Sequence, residues 1–321
     1  MDRPLATNPL RIAVVGVGAV GGYFGGRLAA QGHEVHFIAR SKTLAALRQD
    51  GLHITSLAGD LVLTPDRVRA AADPQEIGPT DVVLLAVKTW QVEPLAASLR
   101  PLVSSGGVVL PLQNGVEAPT QLAAVLGRER VLGGLCRIMA QQVAPAHIRH
   151  FGAEPEIILG PLPGAKGEVD HAAARLAQAL RGAGVRCQVS DRIVSALWEK
   201  LAFMAAFGGV GAAARVPAGV LRHLPETRAL LTQAVEEVYA VATGQAVPLP
   251  VDLPARVLSY IDGLPAAGTS SLQRDITSGA PSELEALVGA VVRLGAAAAV
   301  PTPVFRMLYA CLLPQEQVAR T

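Results

Sequence analysis

Residues 11–40 read RIAVVGVGAVGGYFGGRLAAQGHEVHFIAR, and this stretch decides the fold. RIAVV is apolar and β-branched, as a short strand buried on both faces requires. Gly16-Val17-Gly18-Ala19-Val20-Gly21 follows at once. The pattern then predicts a helix over residues 19–31 that stops at Gly32, and a second strand at EVHFIA, 34–39. Strand, glycine turn, helix and strand make a βαβ unit with parallel strands. A G-x-G-x-x-G is weak evidence alone in a chain with 32 glycines. Its place between a strand and a helix is what makes it specific for a dinucleotide. There Gly16 permits the tight turn, Gly18 lets the backbone approach a pyrophosphate, and Gly21 lets helix pack closely on strand. The helix N-terminus at Ala19 and Val20 binds the anion. The other reading of the stretch is a glycine-rich turn without a ligand.

The end of the second strand selects the dinucleotide. An NAD site usually carries an acid there for the ribose hydroxyls. This chain has Ala39-Arg40-Ser41-Lys42 instead. Arg40, helped by Lys42, suits a 2′-phosphate, so the expected cofactor is NADP(H). Otherwise both cations are simply solvated.

Working outward, DVVLLAV (81–87) and GVVLPL (107–112) are further apolar runs of strand length, with helical stretches between. The alternation predicts a doubly wound, mostly parallel sheet, a Rossmann-type α/β domain. It fades near 154–160, followed by a helix over about 168–182 and a short strand, VRCQVS, at 185–190. Beyond Asp191 the runs are long and rich in Ala, Leu and Val with helical period, as in 225–243 and 281–300. The expected division is therefore 1–190 for the NADP-binding domain and 191–321 for an all-α domain. The apolar helix over 285–300 suits either a core or the interface of a homodimer.

Composition excludes several classes. Lys and Arg total 28 against 26 Asp and Glu, a net charge of +2, with no basic run. Neither nucleic acid nor a membrane surface is an expected partner. Cys136, Cys187 and Cys311 are far apart and form no CxxC, which suits buried thiols in a reducing cytoplasm. The first ten residues lack the apolar core of a signal peptide. The longest apolar stretches, 201–214 and 294–305, fall short of a bilayer span. No HExxH or G-x-S-x-G is present, so neither a metal site nor an α/β-hydrolase is expected. Gly208-Gly209-Val210-Gly211 has no strand before it and reads as close helix packing rather than a second phosphate loop.

Three polar residues stand where chemistry would need them. LWEKLAFMAAFGG (197–209) carries Lys200 at the head of an apolar helix, with no further charge until Arg215. AVKTWQ and LPLQNG put Lys88 and Asn114 just past the C-terminal ends of strands, the edge at which open α/β sheets bind ligands.

With these loops, the chain resembles the ketopantoate reductase family (2-dehydropantoate 2-reductases). GVGAVG, VKTWQ, LQNGVE, WEKL, the run SSLQRDITSGAPSELE (270–285) and VPTPV (300–304) carry the resemblance over almost the whole length. It implies NADPH-dependent reduction of a 2-keto acid, a small-molecule partner, in a cleft flanked by a Rossmann and a helical domain. By the same resemblance, ketopantoate would be reduced to pantoate in pantothenate biosynthesis. Lys200 would be the catalytic lysine, giving or supporting the proton that reaches the nascent alkoxide. Glu283 would orient substrate hydroxyls and the lysine, and Ser271 would bind the substrate carboxylate. Asn114 would hold substrate or nicotinamide ribose, with Lys88 beside it.

Each role has a plainer counterpart. Lys200 could be a snorkelling helix residue, Glu283 a first-turn acid facing the helix dipole, and Ser271 a cap. Glu285 reads as a solvated neighbour. The chain also departs from the family. Asparagines stand four and eight residues after the lysine in well-studied members, where this chain has Met204 and Gly208. That loss of hydrogen-bonding groups, with volume opened, points to a bulkier or more apolar 2-keto acid. The rival readings are a D-2-hydroxyacid dehydrogenase of the same family and a non-catalytic NADP-binding protein.

Overall fold

The structure is a computed structural model that describes residues 8–165 and 167–321. Most of the leader reading at residues 1–10 lies outside the described residues. The chain forms two compact units. One runs up to Gln113 and resumes over Ala118–Ile193, and the other joins Asn114–Glu117 to Val194–Thr321. The boundary expected at 190 thus falls three residues early, and a short segment just past a strand belongs with the helical unit.

In the first unit the chain makes β1 (Arg11–Val15), β2 (Glu34–Ile38), β3 (Leu52–Ser56), β4 (Leu61–Leu63), β5 (Arg69–Ala71) and β6 (Val82–Leu85). It continues with β7 (Val108–Pro111), β8 (Leu132–Arg137), β9 (Ala140–Ala144), β10 (His147–His150), β11 (Glu156–Pro161) and β12 (Arg186–Val189). Its helices are α1 (Ala19–Ala30), α2 (Ser41–Gln49), α3 (Val92–Ala96), α4 (Ala118–Leu126) and α5 (Glu168–Gly182). Five strands form a parallel sheet in the order β5-β2-β1-β6-β7. The chain reverses direction of growth between β1 and β6, which is the switch point where such sheets bind ligands. The α/β Rossmann expectation is met in this sheet.

Two further sheets were not read from the sequence: β4-β3-β10-β9, which is mixed, and β12-β11-β8. The strand expected at 185–190 is present as β12; β9 is exposed along nearly its whole length, and the mostly buried β8 carries two glycines, so neither leaves a clear period-2 signal. The glycines of α1 explain how the first two sheets share one helix. A Cβ at Gly25 would lie 2.7 Å from Val14, and one at Gly26 would lie 2.6 Å from Ile54. The GGYFGG stretch therefore lets α1 approach β1 on one side and β3 on the other.

The second unit is helical: α6 (Ile193–Ala214), α7 (Ala218–His223), α8 (Pro225–Gly244), α9 (Leu253–Asp262), α10 (Ser271–Ser278), α11 (Ala290–Ala297) and α12 (Pro303–Ala319). A π-helical turn, Glu285–Gly289, leads into α11. The helix expected over 281–300 is thus shorter and begins irregularly, and its apolar side, including Leu287, Val288 and Val291, is buried in the unit's own core. α6 runs for 22 residues, longer than its sequence suggested. It is long and apolar enough to cross a membrane, which corrects the expectation that no stretch would be. Glu199 and Lys200 are too few to break that pattern. Yet Leu201, Ala202, Ala205, Ala206, Phe207 and Val210 are buried within this unit, as in the core helix of a folded domain.

Two buried carboxylates organise helix starts here. Glu237 accepts from the backbone N–H groups of Val304 and Phe305 at 2.8 and 3.0 Å, capping α12. Glu316 accepts from the Ser282 backbone N–H at 3.0 Å and from its hydroxyl. A buried charge is tolerated because the otherwise unmatched first-turn donors of a helix satisfy it.

Candidate functional site

The first unit presents the nucleotide-type loop. Gly16 takes φ +95°, and a Cβ there would lie 2.8 Å from the Val87 nitrogen, so only glycine fits the turn. At Gly21 a Cβ would lie 2.1 Å from the Gly16 carbonyl oxygen. Gly18 differs: nothing lies within 4 Å of where its Cβ would be. Its backbone is extended, with φ −88° and ψ −159°, and it forms the N-cap of α1 without any side-chain capping bond. Fold alone requires Gly16 and Gly21 but not Gly18, and open space over a helix N-terminus is what an approaching pyrophosphate needs. Ala19 and Val20 open the helix, with no acid in its first turn. Arg40 and Lys42 are exposed at the end of β2 and the start of α2. Ser41 between them takes φ +48°, an uncommon left-handed conformation for a non-glycine residue. The glycine loop and the helix N-terminus fit a dinucleotide.

Lys88 is exposed, with Nζ 5.9 Å from the centre of the Trp90 ring. Its neighbour in sequence logic, Asn114, does not stay with it. Gln113 is anchored to the first unit through Leu85 and Val87 carbonyls at 2.9 and 3.0 Å, and the chain then crosses into the helical unit.

There the three strongest candidates meet. Lys200 is half-buried in the second turn of α6, and its Nζ donates to Asn114 Oδ1 at 2.8 Å. Asn114 Nδ2 donates to Glu283 Oε2 at 2.8 Å. The amide orientation is forced: an ammonium only donates and a carboxylate only accepts, so the oxygen must face Lys200. A neutral amide thus couples a cation to an anion across three elements far apart in sequence. Glu283 is set in place by its neighbour. Ser282, held by Glu316, accepts from the Leu284 N–H at 3.2 Å and caps the helix that follows. The Glu283 carbonyl takes the N–H groups of Ala286 and Leu287 at 3.1 Å.

Ser271 is the first residue of α10, but the cap is Ser270, whose hydroxyl accepts from the Gln273 N–H at 3.0 Å. The capping role that the sequence left open for Ser271 falls to its neighbour. Below Lys200 on α6 stand half-buried Met204 and buried Gly208. Phe203 and Phe207 stack at 5.6 Å, and Tyr260 meets Phe203 edge-on at 4.8 Å. The face is apolar, as read. A Cβ at Gly208 would lie 3.4 Å from Leu272 and 3.5 Å from Ser270 Oγ, ordinary van der Waals contact.

Glu285 is not a solvated bystander. Its carboxylate accepts from Arg293 Nη1 at 2.8 Å and from the Tyr309 hydroxyl. Arg293 Nη2 donates to Glu117 at 2.8 Å and to the Glu285 carbonyl at 2.9 Å. Partial burial opposes the charge on Arg293, but the two carboxylates outweigh it and raise its pKa. Burial, reinforced by Glu285, pushes the Tyr309 hydroxyl up to about 12. Sequence reading passed over this cluster. The signal was present, since Arg293 is the only charge between Glu285 and Arg306, as isolated as Lys200 is in α6. Among the described residues no group of three or more His, Cys, Asp or Glu could hold a metal ion.

Comparison with known proteins follows the same two units. Family profiles described as ketopantoate reductase PanE/ApbA and its C-terminal domain match residues 12–164 and 192–316. A 2-dehydropantoate 2-reductase of Mesorhizobium japonicum is 30% identical, over 92% of this chain and 94% of its own. The oxidoreductase YkpB of Bacillus subtilis is 29% identical, over 94% and 98%. The crystal structure of a PanE/ApbA family ketopantoate reductase from Ralstonia eutropha is 32% identical, with a TM-score of 0.85 over 97% of this chain and 99% of that one. The chain belongs to the ketopantoate reductase family, oxidoreductases that act on CH–OH groups.

Proposed function

We propose that this protein is an NADPH-dependent reductase of a 2-keto acid, yielding the 2-hydroxy acid, with Lys200 as the proton donor. The observation that supports it most is the Lys200–Asn114–Glu283 chain, with both links at 2.8 Å. Gly16, Gly18, Ala19, Val20 and Gly21 would hold the pyrophosphate, and Arg40 and Lys42 the 2′-phosphate. When bound, the reduced nicotinamide supplies a hydride to the keto carbon. The carbonyl oxygen then gains negative charge. A preorganised ammonium at Lys200 stabilises that charge, an effect worth a few kcal/mol, on the order of 3, and delivers the proton that completes the alcohol. Asn114 fixes where Nζ points, because its oxygen accepts one ammonium proton while its own N–H is held by Glu283. Glu283 keeps the amide from turning over and offers an acceptor to a substrate hydroxyl. Ser271, free of the cap, binds the substrate carboxylate.

Ketopantoate is the reference substrate because 2-dehydropantoate 2-reductases are among the relatives. The apolar face made by Met204, Phe203 and Phe207 favours a second reading, a 2-keto acid with an apolar side chain. A cytoplasmic protein, as monomer or homodimer, is in keeping with either.

The test is steady-state kinetics with NADPH and NADH against ketopantoate and a series of branched and aryl 2-keto acids. Expected are turnover with NADPH, loss of kcat by on the order of 10²–10⁴ in Lys200→Ala with dinucleotide affinity kept, and a collapse of NADPH preference in Arg40→Ala. Binding of NADPH without turnover of any keto acid would mean a non-catalytic nucleotide-binding protein. A large preference for ketopantoate over every apolar acid would sink the second reading alone.

A further inference from the structure

We propose that Arg293 is a positioning residue, a single guanidinium that fixes both arms of the Lys200–Asn114–Glu283 chain. This rests on the reading of those three residues as the reductase's proton-donating group.

The topology of the contacts carries the inference. Glu117 lies three residues beyond Asn114, and Glu285 lies two beyond Glu283. Arg293 grips both: Nη2 to Glu117 and Nη1 to Glu285, each at 2.8 Å, with Nη2 also on the Glu285 carbonyl at 2.9 Å. The two segments also touch directly. Gly115 takes φ +94°, and a Cβ there would lie 2.7 Å from the Ala286 carbonyl oxygen. The segment bearing Asn114 is thus laid on the helix turn that follows Glu283 and is clasped at its far end. That turn is the π-helical Glu285–Gly289, a local irregularity of the kind that concentrates at functional sites. A Cβ at Gly289 would lie 2.7 Å from Glu285 Oε2 and 2.9 Å from Arg293 Nη1, so the glycine leaves the space in which the clasp sits. Tyr309 completes the arrangement by donating to the free side of the Glu285 carboxylate.

Exposure limits what these ion pairs contribute to folding. The side chains of Arg293 and Glu285 are 48% and 43% exposed. Ion pairs so open to water add little to folding. What a guanidinium adds over an ammonium is a planar fork that fixes two acceptors at once. The Asn114–Glu283 bond at 2.8 Å depends on that fixed spacing, and proton delivery depends on where the Asn114 oxygen holds Nζ.

The experiment uses Arg293→Lys, Arg293→Ala and Asn114→Ala in the full chain. The sequence has two asparagines, Asn8 and Asn114, so protein labelled with ¹⁵N-asparagine shows two side-chain amide pairs. Expected in both Arg293 variants is a displaced or broadened Asn114 pair, with the Asn8 pair and the melting temperature nearly unchanged. Expected in kinetics is a fall in kcat on the order of tenfold to a hundredfold, with KM for NADPH kept. Arg293→Lys should not rescue it, and Arg293→Ala should add nothing to Asn114→Ala. An Asn114 pair at its wild-type position in Arg293→Ala, or kcat losses that multiply with Asn114→Ala, would overturn the proposal. If the wild-type protein reduces no 2-keto acid, the functional reading fails, while the amide spectrum still decides whether Arg293 sets Asn114.

Discussion

Replacing Gly18 with alanine separates what the glycine loop does for the fold from what it does for a ligand. Nothing lies within 4 Å of the position a methyl would take, and φ −88° with ψ −159° is open to any residue. Two effects on the free protein nearly cancel. Alanine stiffens the unfolded chain, which favours folding by about 0.4–1 kcal/mol. As the N-cap of α1 it is a poorer residue than glycine by a similar amount, roughly 1 kcal/mol. The melting temperature should therefore move by no more than a few degrees, about 2–4 °C per kcal/mol for units of this size. A dinucleotide would feel the methyl directly. Losing one charge-assisted hydrogen bond from the loop backbone to phosphate costs about 1.5–3 kcal/mol, a factor of roughly 10 to 100 in Kd. Differential scanning calorimetry of the free protein and isothermal titration with NADPH measure the two arms. Gly21→Ala is the contrast, because its methyl would sit 2.1 Å from the Gly16 carbonyl oxygen and must disturb the turn itself. If Gly18→Ala melts far below wild type, or binds NADPH with unchanged Kd, the assignment of this loop to phosphate is wrong.

The helical unit yields sharper tests of packing and ionisation. Gly208→Ala should raise the melting temperature, a gain of about 0.5–1 kcal/mol for a mid-helix glycine, because Leu272 and Ser270 Oγ stand at ordinary contact distances of 3.4 and 3.5 Å from the new Cβ; a clear fall would show that this wall is tighter than those distances imply. Titration of the tyrosines near 295 nm should leave one group ionising late, at about 12 for Tyr309. A folded pKa raised above the unfolded value of about 10 adds stability that is complete below pH 10 and is lost as pH climbs through 12, so Tyr309→Phe should flatten the alkaline fall. Thiol labelling at pH 7.5 should modify exposed Cys311 first and spare Cys187, whose thiol burial pushes to about 11; mass spectrometry of the labelled peptides decides it.

Legibility in the sequence followed the strength of local pattern. β1, α1 and β2 were plain because a fully buried parallel strand and a glycine-bearing helix leave strong periodic signals. β9 left almost none, since its residues are largely exposed; β10 alternates exposed and buried, but only Ile148 among its four residues is apolar, and its partners are distant or antiparallel. The same contrast governs the candidate site. Lys200 was conspicuous as a lone cation in an apolar helix. Asn114 was legible as a residue past a strand end, but not as one that belongs to the helical unit, because that depends on contacts with residues about 170 positions later. Ser270 rather than Ser271 became the cap because helix start positions differ by one residue more finely than pattern resolves.

The departure at Met204 and Gly208 carries a more specific meaning in the structure than in the sequence. Lost amides suggested a larger pocket. Ser270 Oγ, which would stand 3.5 Å from a Cβ at Gly208, already accepts the Gln273 N–H as the α10 cap. That hydroxyl therefore does not replace the polar partners that Met204 and Gly208 lack. Over the two turns of α6 that follow Lys200, residues 201–208, every side chain is a hydrocarbon or thioether. A substrate hydroxyl laid there would give up water without gaining a partner, at about 1–3 kcal/mol for each buried and unmatched group. An apolar side chain of similar size would lose nothing. The polar groups in the proposed site, Asn114, Glu283 and Ser271, lie outside this apolar stretch of α6. Under the proposed reduction, an apolar wall along α6 narrows the search to 2-keto acids that carry no hydroxyl on the side facing α6.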